Sequence, residues 1–309
     1  MTVDTETLAV TLAERLGTDR PSLVPLGVKC AWPVFRAEIA GHSPIFVKVT
    51  ERAAAERALA FLGALAGGCP FLPRPVLLEA PALGELAVLC LEWKEARRVN
   101  AEDMTEGQLG SFLDGCVRLS RALAAFTGPV APLGEDAPDR QHAQLAAYAA
   151  RHPFAGRLLR PLLGIPATER TYGARPLVTI HGDLQPENYG FDGERFAAVF
   201  DTDDITQGLA CEDATYAFTE RARRGSLSSA KRRRLAELFR RFVAISPWPR
   251  DEWLIAISHA RLRIAARRLA RHPDAAFVAL DIRLRDRPLR AFARLVAEGW
   301  RKTPWEAQP

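Results

Sequence analysis

Cysteine is scarce in this 309-residue chain, and the five that occur are dispersed: Cys30, Cys69, Cys90, Cys116 and Cys211. None forms a CxxC pair and the number is odd. That pattern excludes a disulfide framework and a zinc site, and points to free thiols in a reducing cytoplasm. Long apolar runs are also missing; no stretch reaches the ~20 residues that span a bilayer. The opening MTVDTETLAVTLAERLG carries acids early and alternates polar with apolar residues. It reads as an amphipathic helix over 5–16, and as neither a signal nor a transit peptide. No repeat period and no low-complexity linker occurs, so solenoids are excluded.

The size suffices for two lobes with cores of their own. The net charge of +5 conceals an asymmetry. From Ala214 onward there are 22 Lys and Arg against 9 Asp and Glu; before it there are 20 against 28. A basic last third on an acidic body raises the question of anionic partners.

The chemistry concentrates in residues 177–204, LVTIHGDLQPENYGFDGERFAAVFDTDD. Leu177 to Ile180 is a short apolar run expected as a buried strand. A polar loop with His181, Gly182, Asp183 and Asn188 follows. Asp192-Gly193 signals a hairpin turn, and a second apolar run, Phe196 to Phe200, ends on Asp201. The pattern brings three side chains together: Asp183, Asn188 and Asp201. A loop carboxylate suits the acceptance of a proton from a hydroxyl nucleophile. An amide oxygen five residues on and a carboxylate at a strand end are hard donors that suit Mg²⁺, which completes its shell with water and phosphate oxygens. Base and metal ligands at this interval are the parts of phosphoryl transfer.

HGDLQPEN followed by VFDTDD resembles the aminoglycoside phosphotransferase and choline kinase superfamily, a kinase-like phosphotransferase enzyme family. Gly208 and Asp213 stand where that family continues with a Gly and a helix-initial Asp. The resemblance implies an α+β, protein-kinase-like two-lobe fold. Its N-terminal lobe, 1–93, would hold a five-stranded antiparallel sheet with one helix and bind the nucleotide; its C-terminal lobe, 94–309, would be larger, mainly helical and catalytic. The implied activity is transfer of the γ-phosphoryl group of ATP or GTP to a hydroxyl of a sugar, aminoglycoside or related acceptor. Asp183 is implied as base, and Asn188 and Asp201 as ligands of Mg²⁺. His181 would brace the loop, Asp213 would tie it down, and Asp203 or Asp204 would face a second metal or the acceptor, or be turn carboxylates in solvent.

Short runs over 22–50, SLVPLGVK, VFRAEIA and PIFVKVT, predict a three-strand meander. Lys48 alternates with Val47 and Val49, so it projects from the opposite face. The resemblance makes it the lysine that binds the α and β phosphates; the local alternative is a solvent-facing edge lysine. ERAAAERALAFLGALAG predicts a helix stopping at Gly67-Gly68. The resemblance places on it a glutamate that holds the lysine, with Glu56 as the first choice and Glu51 as the fallback. Pro73 to Ala80 and Glu85 to Glu92 are expected as the fourth and fifth strands around a turn at 81–84, and the lobes are expected to join near Trp93. The loop covering the phosphates should lie near PLGVKCAWP. It departs from the glycine-rich pattern of protein kinases: it has only Gly27, which is equally a plain turn glycine.

Helices are predicted over 105–127, 139–150, 153–163 (broken at Pro161), 210–222, 228–245, 250–271 and 276–299. The last four carry the clusters Arg221-Ala222-Arg223-Arg224, Lys231-Arg232-Arg233-Arg234 and Arg267-Arg268. Either these are a solvated basic face, or they meet an anionic acceptor or surface. The second option brings in a lipopolysaccharide-core or other glycolipid sugar kinase, with peripheral membrane contact through the basic helices. The stretches lack interleaved aromatics or a reading motif, so nucleic acid is not an expected partner. No activation segment ending in APE is present, which argues against a protein kinase. A catalytically inactive kinase-like binding protein is the alternative of another class.

Overall fold

A computed structural model describes residues 3–26, 32–65, 67–130, 137–202, 205–224, 227–273 and 277–302. Gly27, Cys30, Asp203 and Asp204 lie outside them.

Helix α1 (Thr5–Leu16) starts where Asp4 accepts the amide of Glu6 and stops at Gly17 in the left-handed region, φ 64°. Leu8 and Leu12, one turn apart, are its buried contacts. Five antiparallel strands follow: β1 (Ser22–Pro25), β2 (Val34–Glu38), β3 (Ile45–Glu51), β4 (Ala82–Leu83) and β5 (Leu86–Glu92), in the order β1-β2-β3-β5-β4. Helix α2 (Arg52–Leu65) leaves the end of β3 directly, its Ala-rich stretch matching high helix propensity.

The expected fourth strand over 73–80 is corrected. That segment makes one isolated bridge, Pro75 to Leu91, and the paired strand is Ala82–Leu83 in the predicted turn. Pro73 and Pro75 lack the N–H groups that a full ladder needs.

The sheet is two-sided. Phe35, Ala37, Val47, Val49, Val88 and Cys90 pack with Leu8 and Leu12 of α1. Leu89 and Leu91, on the other face of β5, join a core shared with α2 and with the helical remainder of the chain.

That remainder comprises a 3-10 turn (Ala101–Asp103), α3 (Glu106–Ala124), α4 (Pro138–Arg151), α5 (Pro153–Leu163) and α6 (Ala167–Arg170). Then come β6 (Val178–Ile180), β7 (Tyr189–Asp192), β8 (Arg195–Val199) and β9 (Thr206–Gly208), and α7 (Glu212–Arg223), α8 (Ser229–Ile245), α9 (Arg250–Arg271) and α10 (Val278–Lys302). A capping box begins α3: Thr105 and Gln108 each accept the other's amide at 3.1 Å. Pro161 sits in the last turn of α5 without ending it. β7 and β8 form the expected hairpin. β9, unpredicted, pairs with β6 and closes a second two-stranded sheet. Phe112, Tyr189, Phe196, Phe218 and Phe242 stack edgewise and tilted around α3, fixing the hairpin against α7 and α8.

Candidate active site

The loop after β6 is built on buried hydrogen bonds. Asp213, in the first turn of α7, accepts the backbone amides of His181 at 2.8 Å and Gly182 at 2.9 Å. Burial pushes the Asp213 carboxyl above its usual range, against the pull of the two amides. His181 is fully buried; its Nε2 faces the Phe200 carbonyl at 2.9 Å, and its Nδ1 faces the Asp183 amide at 3.3 Å. A carbonyl can only accept and an amide only donate, so the ring is neutral with its proton on Nε2. His181 therefore braces the loop against the end of β8 and has no basic nitrogen to offer a substrate.

Gly182 takes φ 81°, a conformation that disfavours a side chain. Gly208 is required for closeness instead. A Cβ there would lie 2.5 Å from the Ile180 side chain and 2.9 Å from Glu212 Oε2.

The loop then delivers its polar groups. Asp183 is buried, and its Oδ2 accepts from Asn188 Nδ2 at 2.9 Å and from Gln185 Nε2 at 3.0 Å. The same Asn188 nitrogen donates to the Asp183 carbonyl at 2.9 Å. Both bonds employ the amide nitrogen, so Oδ1 of Asn188 is the atom available to a cation. The Phe200 amide donates to the Asn188 carbonyl at 2.8 Å, which pins Asn188 next to the segment carrying Asp201. Asp201 adopts φ 59°, and it is the one non-glycine residue with a positive φ among the described residues. Its Oδ1 accepts from Lys48 Nζ at 2.5 Å across the space between the sheet and the loop.

Lys48 is buried and projects from the face of β3 opposite Val47 and Val49, as the alternation requires. Lys48, Asn188 and Asp201 line one cleft with the apolar residues Leu26, Val34, Phe46, Leu91 and Phe200. Val34 is the β2 partner of Lys48.

Of the predicted site residues, Lys48, Asp183, Asn188 and Asp201 therefore lie together. Glu56 does not join them. It is exposed on α2, and among the described residues no ion pair links it to Lys48. α2 turns Ala54, Ala55, Ala58 and Leu59 inward, and among the described residues Asp201 places a carboxylate beside Lys48. Glu51 is exposed as well. Gly27 falls outside the described residues.

The donor set can be tested for a metal. No cluster of three or more His, Cys, Asp or Glu occurs among the described residues. An all-protein cage is absent there, but one amide oxygen and one carboxylate fit Mg²⁺, which keeps waters and binds substrate phosphates.

Three residues on one stripe of α9 point at this loop; the sequence marks Arg267 only as half of a basic cluster, and His259 and Arg263 were not singled out. His259 Nδ1 lies 2.9 Å from Glu212 Oε1. Arg263 donates to the Gly182 carbonyl at 3.0 Å and to Glu212 Oε2 at 3.2 Å, with its guanidinium 5.6 Å from the Tyr216 ring. Arg267 Nη1 lies 4.0 Å from Asp183 Oδ1. The spacing of four was the available signal.

Most members of the other basic clusters are engaged elsewhere. Arg221 is buried against Glu102, Arg223 pairs with Glu220, and Arg224 with Glu187. Lys231 pairs with Asp103 at 3.1 Å, and Arg268 with Asp281 at 2.7 Å.

Residues 32–254 match the model of the phosphotransferase enzyme family. A comparison with functionally curated proteins gives no match. Solved structures share the fold at low identity. An amicoumacin kinase, hAmiN, in complex with AMP-PNP, Ca²⁺ and Ami superposes with a TM-score of 0.61 at 11% identity, over 98% of this chain and 96% of that one. A thermostable mutant of aminoglycoside phosphotransferase APH(4)-Ia, in ternary complex with AMP-PNP and hygromycin B, gives 0.59 at 17%, over 94% and 99%. The macrolide 2'-phosphotransferase MphH from Brachybacterium faecium, as apoenzyme, gives 0.54 at 18%, over 98% and 99%. The neighbours establish a kinase-like fold, and the family model, covering well over half of the residues, establishes that this chain belongs to the phosphotransferase enzyme family.

Proposed function

We propose that this protein transfers the γ-phosphoryl group of ATP or GTP to a hydroxyl of a small molecule such as a sugar, an aminoglycoside or a related acceptor. The carrying observation is the convergence of Lys48, Asn188 and Asp201 on one cleft, with Asp183 held at its edge by Asn188. Asp183 orients the acceptor hydroxyl and takes its proton. The acceptor oxygen then bonds to the γ-phosphorus, the bridging P–O bond breaks, and the nucleoside diphosphate leaves with that electron pair. Asn188 Oδ1 and Asp201 are the groups that would hold Mg²⁺. When bound, the ion neutralises phosphate charge and aligns the leaving group. Lys48 turns from Asp201 toward the α and β phosphates. The apolar walls, Val34, Phe46, Leu91 and Phe200, suit a nucleotide base.

In this reading residues 1–93 are the nucleotide-binding unit and 94–309 the catalytic one; the end of β5 at Glu92 and the place of Trp93 in the cleft wall support a boundary there. Such a protein works in the cytoplasm, where ATP and Mg²⁺ are supplied. The membrane-bound glycolipid alternative draws no support from the paired clusters at 221–224 and at Lys231.

The test is a panel of hydroxyl acceptors with ATP or GTP and Mg²⁺, with Asp183→Ala as control. Losing a general base costs about 10²–10⁴-fold in turnover, while nucleotide binding should persist. Phosphorylation surviving at full rate in D183A removes Asp183 as base. Failure of the wild-type protein to bind nucleotide with Mg²⁺ favours an inactive kinase-like binding protein instead.

A further inference from the structure

We infer that Arg267 makes this an enzyme for anionic acceptors: the molecule that receives the phosphoryl group carries a carboxylate or phosphate within a few bonds of the reacting hydroxyl. The inference rests on the phosphotransferase function proposed above and adds the class of its second substrate.

A hydroxyl that gives its proton to Asp183 must sit within hydrogen-bond reach of that carboxylate, about 2.6–3.2 Å. Arg267 Nη1 lies 4.0 Å from Asp183 Oδ1. Any acceptor on Asp183 therefore has a guanidinium in its immediate surroundings. The Arg267 side chain is 39% exposed and that of Asp183 11%, so the arginine is reachable while the base is sheltered. Arginine presents a planar fork matched to carboxylate and phosphate.

The charge of the surroundings favours the same class. A polyamine acceptor needs carboxylates that are not committed elsewhere. Among the described residues, the acids around this loop are held by cations. Glu220 is paired with Arg223, Glu187 with Arg224, and Glu212 with both His259 and Arg263. A cationic acceptor would have to approach Asp183 past Arg267 and compete for each of these acids with an arginine in place. An anionic acceptor meets Arg267 beside Asp183, shares the guanidinium with that carboxylate, and leaves those pairs in place.

Arg267 is also held on a supported element. His259, Arg263 and Arg267 follow one another at intervals of four along α9, and the first two are buried. The helix that places Arg267 is thus fastened by Arg263 to the Gly182 carbonyl, next to the proposed base.

The experiment compares matched acceptors: glucose, glucosamine, glucuronate, glucose 6-phosphate and kanamycin, each with ATP and Mg²⁺, on wild type, Arg267→Ala and Arg267→Glu. Binding of ATP with Mg²⁺ is measured separately for each protein. The expected result is turnover of glucuronate or glucose 6-phosphate in preference to glucose. The anionic-to-neutral ratio of kcat/KM falls at least tenfold in R267A, equivalent to about 1.4 kcal/mol, and falls further in R267E. The two anionic members separate a carboxylate requirement from a phosphate requirement. A role of Arg267 confined to supporting Asp183 would depress every acceptor equally and leave the ratio unchanged, which overturns the inference. Preference for glucosamine or kanamycin, or no turnover of any member while ATP still binds, overturns it too. Absence of ATP binding in the wild-type protein marks failure of the phosphotransferase proposal itself.

Discussion

At the scale of single residues, Asp201 carries a conformation as well as a charge. Its φ of 59° is the left-handed region, which Asn tolerates and most side chains resist. Asp201→Asn should therefore keep the backbone and lose only the carboxylate. Asp201→Ala should lose the carboxylate and add about 1–2 kcal/mol of strain. Thermal melts with and without nucleotide and Mg²⁺ separate these effects. The stabilisation contributed by Mg²⁺ with nucleotide should vanish in both variants, and D201A should melt below D201N without ligand. Mg²⁺-dependent stabilisation retained in D201N would remove Asp201 from the metal site. The proximity of Asp183, Asn188 and Asp201 was legible in the sequence because one loop and one hairpin carry all three. Glu56 was not, because a helix's phase is set by what it packs on. α2 spends its inner face on alanines and leucines, leaving Glu56 outside. Arg267 was legible only as half of a basic cluster, for a related reason. Neighbours on a helix point about 100° apart, so the pair Arg267-Arg268 divides, one reaching Asp183 and the other Asp281.

At the scale of elements, the loop is held from behind by buried polar groups at the start of α7 and in the middle of α9. α7 supplies Glu212 and Asp213, and α9 supplies His259 and Arg263. Removing one partner strands the rest. Arg263→Met leaves Glu212 buried with His259 as its remaining side-chain partner, and removes a donor from the Gly182 carbonyl; breaking a buried pair costs about 3–5 kcal/mol. Asp213→Ala deprives the His181 and Gly182 amides, at about 1–3 kcal/mol for each unsatisfied donor. Urea unfolding reads both losses. For whatever fraction stays folded, kcat should fall more than the nucleotide KM rises, because the loop carries the proposed base while Lys48 sits on the sheet. Equal loss of both would argue that these residues act on the whole fold. The long helices were legible from periodicity and caps. β4 and β9 were not: two or three residues leave no period to read, and their pairing partners, β5 and β6, define them. The proline-broken segment at 73–80 had the composition of a strand without the amides of one.

At the scale of the whole molecule, the acidic first two thirds and the basic last third neutralise each other across the fold. Glu102 pairs with Arg221, Asp103 with Lys231, Glu106 with Arg241, Glu187 with Arg224, and Asp183 with Arg267. Such pairing gives the fold a pH dependence whose sign can be worked out. Asp251 is held below its usual range by its bond to Arg175. In Asp103, Asp281 and Glu212 burial pushes upward but is outweighed: by Lys231 for Asp103, by Arg268 and Arg285 for Asp281, and by His259 and Arg263 for Glu212. A carboxyl with a lowered folded-state pKa contributes stability that is complete above its unfolded value and is lost as pH falls through the folded one. Asp213 and Glu252, both raised chiefly by burial, act oppositely: each costs stability as pH rises from its unfolded value through its folded one. Asp4 is lowered too, by its bond from the Thr7 hydroxyl; with five lowered groups against two raised, the melting temperature should decline as pH falls from about 4 toward 3. Asp281→Asn isolates one contribution. It removes a carboxylate shared by Arg268 and Arg285 on α9 and α10, away from the cleft. D281N should melt below the wild type at neutral pH, and the gap should narrow in acid, where wild-type Asp281 is itself protonated. A gap that stays constant across that range would mean that Asp281 stabilises by packing and not by charge.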